Sequence, residues 1–362
     1  MAEIKLSNVT HSYDGKTNAV EDVNIVFKDK TTNALLGPSG CGKTTTLKII
    51  SGLLKPTKGR VIFDEVDVTD LPPERRNVGM VFQFPVVYSM TVLENLMFPL
   101  LNQKTMSKED KRRVALEVAE MLDIKDILNE HAPKLGPADR QRVALGRLLV
   151  KTMIQRPTVI LFDEPLSSIE PEKRHALKRL IKEVQKKSET TTVYVTHDQT
   201  EALTFAEKIA IMNKGRIVQF DTVENIYNKP KDTFVGFFVG FPGMNILEGV
   251  VKGNVIDFVD FQVKIPPGAK LPPGLQRVKL GIRPEHIEIS LESKKGEEGW
   301  IPLECQLYEN LGKGFGIAHL ASKNQKLKAR SEVPVRPGST VWVRFIPEYI
   351  RLFDEEGKLI EF

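Results

Sequence analysis

Gly37-Pro38-Ser39-Gly40-Cys41-Gly42-Lys43-Thr44 fits the pattern G-x-x-x-x-G-K-[ST]. Such a loop suits a chain of phosphates. Its glycines let the backbone curl so that successive N–H groups face one anion. The helix that begins near Lys43 adds its positive dipole end. Lys43 can reach the β- and γ-phosphates of a nucleotide, and the Thr44 hydroxyl can ligate Mg²⁺. Ser39, Gly40, Cys41, Gly42, Lys43, Thr44 and Thr45 are therefore the candidate nucleotide-binding residues. The alternative is a glycine-rich turn that binds nothing.

Val159-Ile160-Leu161-Phe162-Asp163-Glu164-Pro165 is four apolar residues followed by two acids. A buried strand that ends in Asp can present that carboxylate to Mg²⁺, usually through water. Glu164, one residue on, is placed to orient or deprotonate an attacking water. Acids also end strands for purely structural reasons. Three single residues add weaker signals. Gln83 follows the strand-like Val78–Phe82 and can touch Mg²⁺ or the water, although a glutamine there is ordinarily structural. His197 follows Val193-Tyr194-Val195-Thr196, where a lone histidine is more often a satisfied loop residue than a catalyst. Tyr13 can stack on a base or simply pack.

The elements that must position these residues alternate. Thr31–Leu36, Thr158–Phe162, Thr192–Thr196 and Ile209–Met212 read as buried strands. Lys43–Leu53, Lys111–Leu128 and Glu172–Lys187 read as helices, the second with an apolar stripe from Val114 to Leu122. This alternation implies a mainly parallel sheet covered on both faces, hence an α/β fold. Ile4–Val9, Val23–Phe27 and Arg60–Val68 instead read as antiparallel strands with one open face. Composition shifts near Lys229, and Pro266-Pro267-Gly268 and Pro272-Pro273-Gly274 punctuate the C-terminal third of the chain. Val278–Ile282, Ile287–Ser290, Gly316–Leu320, Val341–Phe345 and Tyr349–Phe353 have strand character, which predicts a small all-β domain of barrel type.

The whole-chain numbers narrow the classes. A length of 362 residues suggests two or three domains, with 41% hydrophobic and 27% charged residues as in ordinary soluble proteins. No run reaches 18 apolar residues, so no membrane span is expected. Met1 to Thr10 alternates polar and apolar residues, unlike a secretory leader. Two cysteines, Cys41 and Cys305, fit a reducing compartment. The net charge of +5 fits a lysine-rich solvated surface and gives no ground for nucleic-acid binding.

In order and spacing these residues resemble the nucleotide-binding subunits of ABC transporters, nearest the importer ATPases of the maltose and glycerol-phosphate type. The resemblance covers nearly the whole chain. It rests on Tyr13 at the A-loop, Gly37 to Thr44 at Walker A, Gln83 at the Q-loop, and Gln141 to Arg147 at the end of the signature. It also rests on Asp163 and Glu164 at Walker B, His197 as the switch, and Gly281-Ile282-Arg283-Pro284-Glu285 in the C-terminal part. It implies a P-loop ABC ATPase domain over 1–235, a mainly parallel sheet with antiparallel β and helical subdomains. A C-terminal all-β, OB-like, transport-associated regulatory domain would cover 236–362. ATP and Mg²⁺ are the implied cofactors, with Thr44, Gln83 and Asp163 at the metal and Glu164, His197 and Gln83 in catalysis. A second ABC ATPase subunit and transmembrane permease subunits are the implied partners, with an extracytoplasmic solute-binding protein acting indirectly. The implied place is the cytoplasmic face of the cell membrane, and the solute a sugar, polyol or glycerol phosphate. A short helix of the permease would sit in a groove near Phe84, Val86, Val87, Tyr88 and Met90. The alternative for those side chains is packing inside the helical subdomain.

The sequence departs from that family most at its signature. Leu-Ser-Gly-Gly-Gln is expected, and Leu135-Gly136-Pro137-Ala138-Asp139 stands there. Gly136 has no hydroxyl, Pro137 has no N–H, Ala138 adds a Cβ, and Asp139 brings a negative charge towards a phosphate. Pro137 and Asp139 suit a helix start instead. Smaller departures are Glu170 for Asp in Ser167-Ser168-Ile169-Glu170, a segment after Gln83 one residue short, and extra residues between Arg147 and Pro157. In the family each ATP meets the phosphate loop of one subunit and the signature of the other. One site of the dimer is therefore expected to be poor, which suggests a heterodimer with a related ATPase whose signature is intact; the rival is a homodimer that works because the rearranged helix start supplies other donors. Two other readings stay open: an ATP-binding regulatory subunit with little hydrolysis, and a soluble non-transport ABC protein. Against the last stand the single phosphate loop and the absence of sustained heptads.

Overall fold

The computed structural model describes residues 2–360 except 155, 156, 168, 270 and 313, and omits the side chains of 171, 173, 184, 187 and 188. Ser168 and part of the insertion after Arg147 therefore lie outside the described residues. The chain divides into two compact units, Met1–Val223 and Glu224–Phe362.

The first unit opens with strands β1 (Ile4–Ser12), β2 (Asn18–Phe27) and β3 (Thr32–Leu36), then helix α1 (Lys43–Ser51). Strands β4 (Lys58–Phe63) and β5 (Val66–Asp67), the short helix α2 (Pro73–Arg76) and strand β6 (Val78–Val81) come after it. A helical stretch comes next: α3 (Val92–Met97), α4 (Lys108–Met121) and α5 (Pro137–Ile154). The unit closes with β7 (Val159–Asp163), α6 (Pro171–Ser188), β8 (Thr191–Thr196), α7 (Gln199–Phe205), β9 (Lys208–Asn213) and β10 (Arg216–Thr222).

Six strands form the central sheet in the order β10-β9-β3-β8-β7-β6, parallel except for β10. Strands β7 and β8 are buried along their whole length, as continuous apolar runs must be when a sheet is covered on both faces. The second sheet, β2-β1-β4-β5, is antiparallel and alternates buried and exposed positions. Phe27, Leu47, Ile50, Val61 and Leu161 form a core shared by both sheets and α1. A separate core holds the helical stretch, with Leu96, Val118, Leu122, Val143 and Leu149 packed towards Phe162 and Tyr194.

The helix expected over Lys111–Leu128 runs over Lys108–Met121 instead. Ser107 starts it earlier, its hydroxyl accepting from the Asp110 N–H. It stops early because Asp123 takes a left-handed backbone (φ 55°).

The second unit begins earlier than position 236. Asp232 bridges Lys358, the Thr233 N–H donates to the Gly357 carbonyl, and the Leu359 N–H donates to the Lys231 carbonyl. These bonds tie residues 231–233 to the far end of the chain. The unit's strands form two antiparallel sheets. One takes Gln262–Lys264, Val255–Asp257, Asn245–Lys252, Arg277–Ile282, Arg351–Phe353 and Leu359–Ile360 in that order. The other takes Ile287–Ser290, Thr340–Phe345, Trp300–Asn310, Gly316–Ala321 and Lys326–Ser331. One core, with Leu247, Phe258, Leu280, Cys305, Val341 and Phe345, lies between them. Cys41 and Cys305 are both free and buried. Among the described residues no helix is long and apolar enough to cross a membrane.

Candidate functional site

Sheet register gathers the candidate residues. Leu36 pairs with Thr196, Asp163 with Val195, and Val81 with Phe162, so four parallel strands end side by side. The residues that leave those ends are the Gly37 loop, Glu164, His197 and, after β6, Gln83. The carboxyl edge of such a sheet is where open α/β folds place their ligands.

The loop from β3 to α1 has little freedom to change. A Cβ on Gly42 would lie 2.4 Å from the Ala19 carbonyl oxygen, and its φ of 104° is one that other residues rarely adopt. A Cβ on Gly37 would lie 2.2 Å from the Met212 carbonyl oxygen. No side chain caps α1, so its first N–H groups are left to the loop side. Lys43 is buried, and its ammonium donates to the carbonyls of Gly37 (2.9 Å) and Pro38 (3.0 Å). Ser39 and Gly40 are exposed at the tip, while Cys41 is buried beneath, its thiol pushed up by burial. Thr45 meets the Tyr13 hydroxyl at 3.2 Å, and the Tyr13 ring, 64% exposed, stands edge-on to His11. An exposed ring tethered at the loop can offer its face to a base.

The Thr44 hydroxyl donates to the Asp163 carboxylate at 3.0 Å, 119 residues away in sequence. Burial pushes the Asp163 carboxyl above its ordinary value; the Thr44 bond opposes this and the Glu164 charge adds to it. A hydroxyl beside a carboxylate is a hard-oxygen pair that fits Mg²⁺, which usually takes one or two protein ligands and the rest from phosphates and water. Among the described residues no cluster of three or more His, Cys, Asp or Glu forms a cage for a metal.

Asp163 also carries a stability consequence. Its native pKa lies above the unfolded one, so stability falls as pH rises through the native value. Asp163→Asn removes the buried charge and can still accept from Thr44. Its melting temperature without nucleotide is expected to rise by about a few degrees at pH 7. The gain should shrink as pH falls towards about 4, where the unfolded carboxyl is itself half protonated. An unchanged or lower midpoint at pH 7 contradicts the burial penalty.

Glu164 comes next with a left-handed backbone (φ 43°), held by its N–H to the Val195 carbonyl at 2.9 Å. Its carboxylate lies 2.9 Å from Nδ1 of His197. An ionised carboxylate only accepts, so this bond requires the proton on Nδ1. Glu164 and His197 thus meet across β7 and β8. Gln83 is half-buried beyond β6, at the same edge of the sheet.

Beside it the residues considered for a groove divide. Phe84 and Val86 are exposed, whereas Val87 packs on the helical core and Tyr88 packs against Phe98, the rings tilted by 37°, under the Arg147 guanidinium. Val86, Tyr88, Arg147 and Lys151 line a cavity of about 250 Å³ there.

The segment Gly136–Asp139 is committed to its own helix. Pro137 is the first residue of α5, and the Gly136 carbonyl accepts the Arg140 N–H at 3.0 Å. Asp139 pairs with Arg142 at 3.6 Å. Ala138 is buried in the helical core, so its Cβ packs inward. Glu201, a buried carboxylate beside the His197 turn, is a site residue that the sequence motifs do not mark. Its only signal is position, four residues past His197 on the next helix.

Residues 20–167 match a family model described as ABC transporter, 240–287 one described as MalK OB fold domain, and 280–353 one described as TOBE domain. The chain is 38% identical over 367 residues to the sn-glycerol-3-phosphate import ATP-binding protein UgpC of Salmonella typhi, covering 98% of this chain and 99% of the relative. It is 37% identical over 378 residues to the trehalose/maltose import ATP-binding protein MalK of Thermococcus litoralis, covering 99% and 100%. Among solved structures, it matches the dimeric post-hydrolysis state of the ATP-binding cassette MJ0796 bound to ADP and Pi with a TM-score of 0.55 and 32% identity. That match covers 61% of this chain and 98% of the cassette. Similarity at this level from end to end means that the chain belongs to the ABC transporter ATPases, in the branch that carries MalK OB fold and TOBE domains.

Proposed function

We propose that this chain hydrolyses ATP to drive an importer for a sugar, polyol or glycerol phosphate, at the cytoplasmic face of the membrane. The names of its relatives, import ATP-binding proteins for glycerol 3-phosphate and for trehalose and maltose, support that solute class. The observation that carries the reading is the two bonded pairs Thr44–Asp163 and Glu164–His197, adjacent at the sheet edge beside a buried Lys43.

Each residue has a role in this reading. Tyr13 stacks on the base. Loop N–H groups from Ser39 to Thr45 and the Lys43 ammonium hold the phosphates. Thr44 and Asp163, with Gln83, would hold Mg²⁺, which would supply charge neutralisation to the phosphates. Glu164 accepts a proton from the attacking water. His197 holds the Glu164 carboxylate through its Nδ1 proton.

The dimer in this reading is asymmetric. This chain's phosphate side meets the intact signature of a related ATPase and forms the competent site. Gly136–Asp139 faces the partner's phosphate loop and forms the poor one. A missing hydrogen bond to a charged phosphate costs roughly 1.5–3 kcal/mol. A homodimer would carry that loss twice, at odds with an otherwise complete hydrolytic set. Permease subunits dock near Phe84 and Val86, and a solute-binding protein acts through them.

The test is purification of the tagged chain from membranes. The expected result is that a second ATPase and membrane-spanning subunits come with it and that the complex hydrolyses ATP. A chain recovered alone from the soluble fraction, or a complex that binds ATP without turnover, contradicts the reading.

A further inference from the structure

We infer that Glu201 is a positioning residue that fixes His197 against Glu164. The inference rests on the reading of Glu164 and His197 as the hydrolytic pair. The His197 side chain is 55% exposed, so little packing orients its ring. Its place must come from its backbone, and that backbone is locked on both sides. Thr196 Oγ1 donates to Glu201 Oε2 at 2.9 Å and accepts the Asp198 N–H at 2.9 Å. Asp198 Oδ1 in turn accepts the Glu201 N–H at 3.2 Å, which caps α7. Thr196, Asp198 and Glu201 thus form a closed ring of hydrogen bonds, with His197 between the first two.

Only part of this ring is ordinary helix capping. An Asp198 cap needs the Glu201 backbone and not its side chain. The Glu201 carboxylate is 4% exposed and, among the described residues, its ion-pair partner is Lys178, at 3.7 Å. Burying a carboxylate with so little compensation is costly. What it provides is one oxygen that accepts two hydroxyls from β8, those of Thr196 and Tyr194, each at 2.9 Å. Tyr194 packs on Phe162, the residue before Asp163. Glu201 therefore fixes two side chains of the strand that carries His197, one of which, Tyr194, packs on the strand that carries Asp163. A glutamine of the same length can keep one oxygen under both hydroxyls, but its NH₂ then stands where Oε1 faces the Lys178 ammonium, donor against cation, so the lock loosens without loss of volume.

The experiment measures ATP turnover by the membrane complex carrying Glu201→Gln, His197→Ala or both, with ATP binding measured in parallel. Thr196→Val, which removes the hydroxyl and keeps the shape, covers the case in which Glu201→Gln fails to fold. Glu201→Gln or Thr196→Val alone should lower kcat about tenfold while KM for ATP changes less than twofold. Added to His197→Ala, either should lower kcat less than twofold further, because residues that act as a unit are not additive. A full tenfold loss on top of His197→Ala, or a raised KM with kcat unchanged, overturns the inference and leaves Glu201 a structural residue. Normal turnover by His197→Ala overturns the hydrolytic reading itself, and this inference with it.

Discussion

Lys43→Ala is expected to abolish tight MgATP binding at this chain's own phosphate loop. The ammonium sits buried inside the loop with donors already aimed at two carbonyls. When phosphates enter, it exchanges those carbonyls for charged oxygens. Hydrogen bonds to charged groups contribute roughly 1.5–3 kcal/mol each. Losing two raises the dissociation constant about 100-fold or more, at about 1.4 kcal/mol per decade. Nucleotide titration of the folded variant, with thermal denaturation as the folding control, reads this directly. Unchanged affinity would remove the loop from nucleotide binding.

Glu164→Gln is expected to bind ATP and stop there. The side chain keeps its length, its backbone stays held by the Val195 carbonyl, and a glutamine oxygen can still accept the His197 proton. What is lost is the base of the proposed reaction. General-base catalysis contributes about 10²–10⁴ in rate, so turnover should fall by about that factor while the phosphate contacts persist. The closed, ATP-bound dimer should then accumulate and be seen by size-exclusion chromatography with ATP. Near-normal turnover removes Glu164 from the catalytic role.

The site is legible in the sequence where its chemistry is contiguous. The phosphate loop shows in eight adjacent residues because backbone curl, dipole and cation must come from one turn. Asp163 and Glu164 show because a fully buried parallel strand must be an apolar run, and its end is then marked by charge. The contact between Thr44 and Asp163 is different. It exists only because β3 and β7 flank β8 in register, which local sequence does not encode. Glu201 is hidden for the same reason: its partners are hydroxyls on a neighbouring strand. The start of the second unit is equally hard to place, because pairing between residues 231–233 and 357–359 joins segments far apart in the chain. The helix over Lys108–Met121 starts before its apolar stripe does, because Ser107 with Asp110 is a capping signal that the stripe does not include.

In the proposed asymmetric dimer this chain would supply the good half of one ATP site and the poor half of the other. The most direct measurement is transport by complexes in which only one glutamate is changed: Glu164→Gln here, or the matching change in the related ATPase. Asymmetry predicts that the first nearly stops transport and the second matters much less. Equal loss from both, or brisk hydrolysis by this chain purified alone as a homodimer, contradicts it.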